Sequence, residues 1–138
     1  ETLASRQSLV FCGRGGPGAR GANRAADLLA HGLSRRGLPV AAFHDELDQK
    51  ERDLVMRETR AGNTRVLIAS DILARGIDIQ MVKLVVNHSL PADAETYLHR
   101  SGRCCRFGRK GVVINFVTPG EQEEAMRTIE RELSIEVE

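Results

Sequence analysis

Between Tyr97 and Gly111 the chain reads Tyr-Leu-His-Arg-Ser-Gly-Arg-Cys-Cys-Arg-Phe-Gly-Arg-Lys-Gly, a run crowded with cations and free of carboxylates. A guanidinium is planar, keeps its charge at physiological pH and forms paired hydrogen bonds to phosphoryl oxygens, so clustered arginines point to a phosphate-bearing ligand. If the run stays helical, His99, Arg103 and Arg106 fall four and three residues apart and share one face, where they converge on one anion. A solvated basic turn, or a partner for surface carboxylates, remains an equally good reading of these residues alone.

The other residues able to do chemistry are less well arranged. Gly13, Gly15 and Gly18 match G-x-G-x-x-G between a strand and a helix, the setting of a dinucleotide fingerprint. Yet Pro17 interrupts the loop, the loop is overlong, and the acid expected about 20 residues on is missing from Ser34–Leu38, with Asp45 coming late. An irregular surface loop fits better. There is no G-x-x-x-x-G-K-[ST], so the chain does not by itself cradle a nucleoside triphosphate. His31, His44, His88 and His99 lack metal-ligand spacing, and no metal site is expected. Cys104 and Cys105 lie beside arginines that lower a thiol pKa, but no general base accompanies them.

The elements that must position these residues follow from periodicity. Ser8–Cys12 is a short apolar run closed by glycine and reads as a strand; Gly13–Gly21 is loop. Ala22–Arg36 places Ala22, Ala26, Leu29 and Leu33 at helical spacing before Gly37 and Pro39. Pro39–Phe43 is a second strand. Asp48 and Glu51 have capping-box spacing and open a helix to about Arg60. Arg65–Ala69, Lys83–Asn87 and Val112–Val117 supply three more strands. Thr118-Pro119-Gly120-Glu121 offers an N-cap for a last helix burying Met126, Ile129 and Leu133. Alternation of this kind predicts an α/β fold: a parallel sheet of about five or six strands with helices on both faces, a three-layer sandwich. Ligands of such sheets gather at the strands' carboxyl ends, which directs attention to Gly13–Gly21, His44–Gln49, Ser70–Asp78 and the residues from His88 onward.

Composition sets bounds. At 138 residues, 41% hydrophobic and 28% charged, the chain suits one domain. Its formal charge of +1 hides an acidic segment from Glu121 onward beside the basic run, so any polyanion site is a local patch. The odd count of three cysteines, two of them adjacent, predicts a reducing, cytoplasmic or nuclear compartment. No apolar run approaches a membrane span, and no membrane partner is expected. The start at Glu1, close upstream of a strand, suggests a fragment of something longer.

Ser70-Asp71-Ile72-Leu73-Ala74-Arg75-Gly76-Ile77-Asp78, followed by His99-Arg100-x-Gly102-Arg103-x-x-Arg106, resembles the fifth and sixth signature motifs of the DEAD-box RNA helicases. The resemblance runs from about Leu9 to the C-terminus. Asp48–Asp53, Ser70–Gln80 and Arg106–Gly111 are most similar to the branch of eukaryotic translation initiation factor 4A. It implies the second of two RecA-like domains spanning residues 1–138, with the N-terminal DEAD-box domain absent from this sequence.

That resemblance assigns roles residue by residue. Arg103 and Arg106 are implied arginine fingers for the terminal phosphate of ATP, held with Mg mainly by the N-terminal domain, and His99 and Arg100 would couple them to that domain. Fixed cations there stabilise the charge that phosphoryl transfer spreads over equatorial oxygens. Gly76 and Asp78 would sit by the nucleotide, Asp78 accepting from ribose hydroxyls, with Phe107 against adenine. Phe11, Cys12 and Gly13, then Gln49 and Arg52, then Ser70, Asp71 and Arg75 would face RNA phosphates and 2′-hydroxyls. Arg52 also has acids on its own helix as partners, and Arg75 has Asp71 and Asp78. The implied partners are RNA, the N-terminal RecA-like domain and scaffold proteins of translation initiation or RNA processing. The alternative is a relative with impaired hydrolysis that serves as a docking module.

The chain departs from the family's pattern in three places. Cys105 stands where Gly usually precedes the second finger, and an expanded Gly-Arg loop replaces Asn-Thr-Arg after Phe11-Cys12. His44-Asp45-Glu46 replaces His-Gly-Asp, removing a residue free to take positive φ. The expectation is that hydrolysis survives at a reduced rate, and that the contacts around Phe11–Gly13 change.

Overall fold

A computed structural model describes residues 7–13, 20–70, 82–105, 108 and 110–138, without the side chain of Arg20. Its strands are β1 (Ser8–Phe11), β2 (Val40–Phe43), β3 (Val66–Ala69), β4 (Leu84–Asn87) and β5 (Val112–Asn115). The helices among the described residues are α1 (Arg20–Arg35), α2 (Gln49–Arg60), α3 (Ala94–Ser101) and α4 (Glu121–Leu133). All pairings are parallel and the strand order is β2-β3-β1-β4-β5. Ser8 stands opposite both Val66 and Leu84, Val40 opposite Val66, and Leu84 opposite Val112. The strands therefore start level, and their carboxyl ends line one edge of the sheet.

The central strands read as apolar runs because they are covered on both faces. On one face Ala26, Leu29 and Leu33 of α1 pack against Val10, Cys12 and Ile68. On the other, Val55 and Met56 of α2 meet Leu9, Phe11, Phe43, Leu67 and Val85. Tyr97 of α3 and Met126 and Ile129 of α4 extend this second face through Val113, which pairs in register with Val85. The result is the three-layer α/β sandwich expected from the sequence. Burying a side chain as large as Phe11, which is 0% exposed, contributes about 2–3 kcal/mol. Edge strand β5 is covered on one side only: Val112 and Ile114, on its other face, are exposed.

Local chemistry sets the helix ends. Gly37 N–H donates to the Ser34 carbonyl and Leu38 N–H to the Leu33 carbonyl, the Schellman pattern that closes α1. Asp48 caps α2: its carboxylate accepts from Glu51 N–H, and Glu51 Oε2 accepts from Asp48 N–H, both at 2.8 Å. The Thr118 cap expected for α4 does not form. That helix starts at Glu121 after Gly120 at φ 97°, and Gln122 Oε1 instead accepts from Thr118 N–H at 3.0 Å. A backbone turn at glycine thus replaces the side-chain cap. No helix is long and apolar enough among the described residues to cross a membrane.

Candidate functional site

The carboxyl edge of the sheet brings together the ends of β1, β2 and β3. Phe11 and Cys12 are 0% and 1% exposed, their side chains packed into opposite faces of the sheet. Their side chains therefore serve the core, which leaves only backbone groups of these two residues toward the carboxyl edge. The Phe11 carbonyl is also engaged, accepting from His88 N–H at 3.0 Å and Ser89 N–H at 3.3 Å. Burial pushes the Cys12 thiol pKa up, with the nearby Arg100 charge acting in the opposite sense. Gly13 is half-buried and turns the chain at φ 91°; its N–H donates to Ser89 Oγ at 2.8 Å, and a Cβ there would lie 2.2 Å from Ala22 Cβ.

Beside this turn, α1 grips the residues that follow β2. Asp27 Oδ1 lies 2.9 Å from His44 Nε2, and the Asn23 amide donates to Asp45 Oδ1. No residue from His44 to Asp48 has positive φ, so the lost glycine imposes no backbone strain here. Arg52 Nη2 donates to the Asp45 carbonyl at 3.0 Å, where sequence offered acids of its own helix, and its Nε is buried without a partner among the described residues. Gln49 is exposed at the first turn of α2 and its amide donates to Asp53 at 2.8 Å. Ser70 is 3% exposed at the end of β3. Gly13, Gln49, Arg52 and Ser70 therefore share one edge.

The basic run behaves differently. Helix α3 stops at Ser101, so His99 and Arg103 do not share a continuing helical face, and the convergence expected from helical spacing is corrected. His99 is half-exposed and sits 3.6 Å from Glu95. Arg100 turns inward and is 1% exposed. Its Nη1 donates to Asn87 Oδ1 at 3.0 Å and to the Ser89 carbonyl at 2.6 Å, and the guanidinium lies 5.0 Å from the centroid of the Phe11 ring. A side chain so enclosed holds β4, β1 and α3 together and presents no surface to a ligand or a second domain. Within this domain Arg100 acts as an internal brace. Sequence inspection passed over its partners, although a lone Asn87 ending an apolar strand was the available signal.

Past α3 the chain reaches the opposite edge of the sheet. Val82 N–H, two residues before β4, donates to the Arg103 carbonyl at 3.2 Å, and Cys104 packs with Val82 and Val85. An eight-residue helix is about 12 Å long, roughly the length of a four-residue strand, so α3 carries the chain from the carboxyl edge back to the amino edge. Arg103 is half-buried in this turn. Asp71, Arg75, Gly76, Asp78, Arg106 and Phe107 lie outside the described residues.

Comparison with known proteins agrees with this architecture. The family model described as the helicase conserved C-terminal domain matches residues 2–108. An ATP-dependent RNA helicase eIF4A of Sclerotinia sclerotiorum is 49% identical over 138 residues, all of this chain and 32% of the relative. The structure of the C-terminal domain of the DEAD-box protein Dbp5 superposes with a TM-score of 0.82 at 37% identity, covering 96% of this chain and 73% of that one. S. cerevisiae Dbp5 bound to RNA and ADP BeF3 gives a TM-score of 0.79 at 36% identity over 94% of this chain and 32% of that one. The chain spans about a third of the length of the curated eIF4A relatives it matches. With a RecA-like sheet and the helicase C-terminal pattern over most of its length, the chain belongs to the helicase conserved C-terminal domain family and is a DEAD-box RNA helicase domain.

Proposed function

We propose that this domain is the C-terminal half of an ATP-dependent RNA helicase that supplies arginine fingers at one edge of its sheet and part of an RNA-backbone surface at the other. The observation that carries this reading is the separation itself. Gly13, Gln49, Arg52 and Ser70 gather at the carboxyl edge, whereas the turn holding Arg103 docks on Val82 at the amino edge. One domain can then meet a nucleotide and a nucleic acid without either blocking the other. The relative solved with both RNA and ADP BeF3 supports carrying that pairing to this chain.

In this reading Arg103 and Arg106 reach the terminal phosphate of ATP, with Mg and most of the nucleotide held by the N-terminal RecA-like domain. ATP and water become ADP and phosphate; the arginines stabilise negative charge gathering on the transferred group. Gly76, Asp78 and Phe107 complete the nucleotide side, and Asp71 and Arg75 the RNA side. His99, exposed beside Arg100, is the residue of that pair able to meet the other domain. Closure of two domains builds the site, so the isolated half is inert. Proteins that dock on helicase domains are further expected partners, as the Dbp5 structures containing Gle1 and Nup159 illustrate for that protein.

The test is RNA-stimulated hydrolysis by the full-length protein. Arg103→Ala or Arg106→Ala should abolish stimulation while ATP binding is largely kept. Unaltered turnover overturns the finger assignment, and hydrolysis at helicase rates by residues 1–138 alone overturns the division of labour.

A further inference from the structure

Adjacent residues of an extended chain point to opposite sides, so neighbouring cysteines ordinarily keep their sulfurs apart. Here the turn after α3 reverses that. Cys104 N–H and Cys105 N–H both donate to the Ser101 carbonyl, at 3.0 and 3.2 Å, and this tight winding brings Cys104 Sγ to 3.2 Å from Cys105 Sγ. Cys104 is buried against Val82 and Val85, with its thiol 3.4 Å from the Ser101 carbonyl, while Cys105 is exposed. A buried sulfur with an exposed sulfur directly over it forms a two-donor soft site opening to solvent.

The geometry discriminates among ligands. A disulfide needs Cα atoms about 4.4–6.8 Å apart, and the about 3.8 Å across a trans peptide falls short, so a Cys104–Cys105 bond would be strained and readily reduced. Structural zinc takes four ligands. No group of three or more histidine, cysteine or carboxylate side chains able to hold a metal occurs among the described residues. What fits is a soft trivalent centre that takes two sulfurs and brings its own third substituent.

We propose that Cys104 and Cys105 form a chelating dithiol site for trivalent arsenicals. With an organoarsine oxide, R–As=O, the exposed Cys105 sulfur bonds to arsenic first and Cys104 then closes the chelate. Two As–S bonds form, the As=O bond breaks, and the two thiol protons leave with the oxygen as water. Arsenic stays trivalent, so no oxidant or reductant is consumed. Burial pushes Cys104 up to about 12, keeping it protonated near neutrality and in agreement with Cys105 acting first. Occupation also locks the turn carrying Arg103; that consequence, unlike the binding itself, rests on the proposed function.

The probe is phenylarsine oxide, added to the full-length protein in excess monothiol and followed by intact mass. Joining two sulfurs makes the second bond intramolecular, so wild-type protein should hold one phenylarsenic group at least 100-fold more tightly than Cys105→Ser, and release it to a small dithiol. Equal retention by wild type and Cys105→Ser overturns the site, as does removal of the adduct by monothiol alone. Cys105 is exposed, so its replacement spares the core. RNA-stimulated ATP hydrolysis then tests the coupling: inhibition in wild type and none in Cys105→Ser, each against its own untreated rate, supports it. Binding without inhibition overturns the coupling and leaves the chelate standing, whereas failure of the Arg103→Ala test would strike the proposed function alone.

Discussion

Replacing Arg100 with alanine separates a fold-holding arginine from the one proposed above to face phosphate in the same motif. Truncation leaves Asn87 Oδ1 and the Ser89 carbonyl without their Arg100 donor, and Asn87 is 0% exposed. Each stranded acceptor costs about 1–3 kcal/mol, and loss of the guanidinium over Phe11 adds about 1 kcal/mol. Relief from burying a charge offsets part of this, so the net destabilisation should be about 3–4 kcal/mol. That is a large share of the roughly 5–15 kcal/mol available to a domain. With a urea slope of about 1–2 kcal/mol/M, the unfolding midpoint should fall by about 2 M. Arg103→Ala, truncating a half-buried side chain, should cost under about 1 kcal/mol. Arg100→Lys keeps a donor and a charge but loses the flat guanidinium over Phe11, and should fall between them. The reasoning is refuted if Arg100→Ala melts within about 1 kcal/mol of wild type, or if a double-mutant cycle with Asn87→Ala shows no coupling.

Three further outcomes follow from the same structure. Asp48→Ala removes the side-chain acceptor of Glu51 N–H and keeps the Asp48 N–H bond to Glu51 Oε2, and should cost about 1 kcal/mol in thermal or urea unfolding, with Glu51→Ala costing less. Gly13→Ala meets both a positive φ and a methyl 2.2 Å away, so the substitution should destabilise by more than about 1 kcal/mol and loosen the start of α1, read by hydrogen exchange in residues 20–26. Cys104 has a folded pKa raised above its ordinary 9.0 to about 12, so its contribution is intact below about pH 9 and is lost as pH rises toward 12. Urea midpoints measured from pH 8 to pH 11 should decline more steeply in wild type than in Cys104→Ala.

Periodicity made the sheet legible because fully covered parallel strands must be apolar throughout: Val66–Ala69 and Leu84–Asn87 stand close to where their composition put them. The Asp48–Glu51 box was legible because both its hydrogen bonds are local. What failed depended on tertiary context. Thr118-Pro119 has the composition of a cap, yet the chain turns at Gly120 and the helix buries Met126 and Ile129 from a later start. The basic run was legible as chemistry but not as geometry. Residue type alone could not tell Arg100, aimed at Asn87 inside the protein, from Arg103, three residues on and beyond the helix end.

The two edges of the sheet are tied together through shared packed groups. Ser70 closes β3 at the carboxyl edge, and Val82 precedes β4 at the amino edge, where it holds the Arg103 carbonyl. Arg100 braces the same arrangement from inside by tying the end of α3 to the ends of β1 and β4. A shift at either edge must then pass through packed groups shared by both.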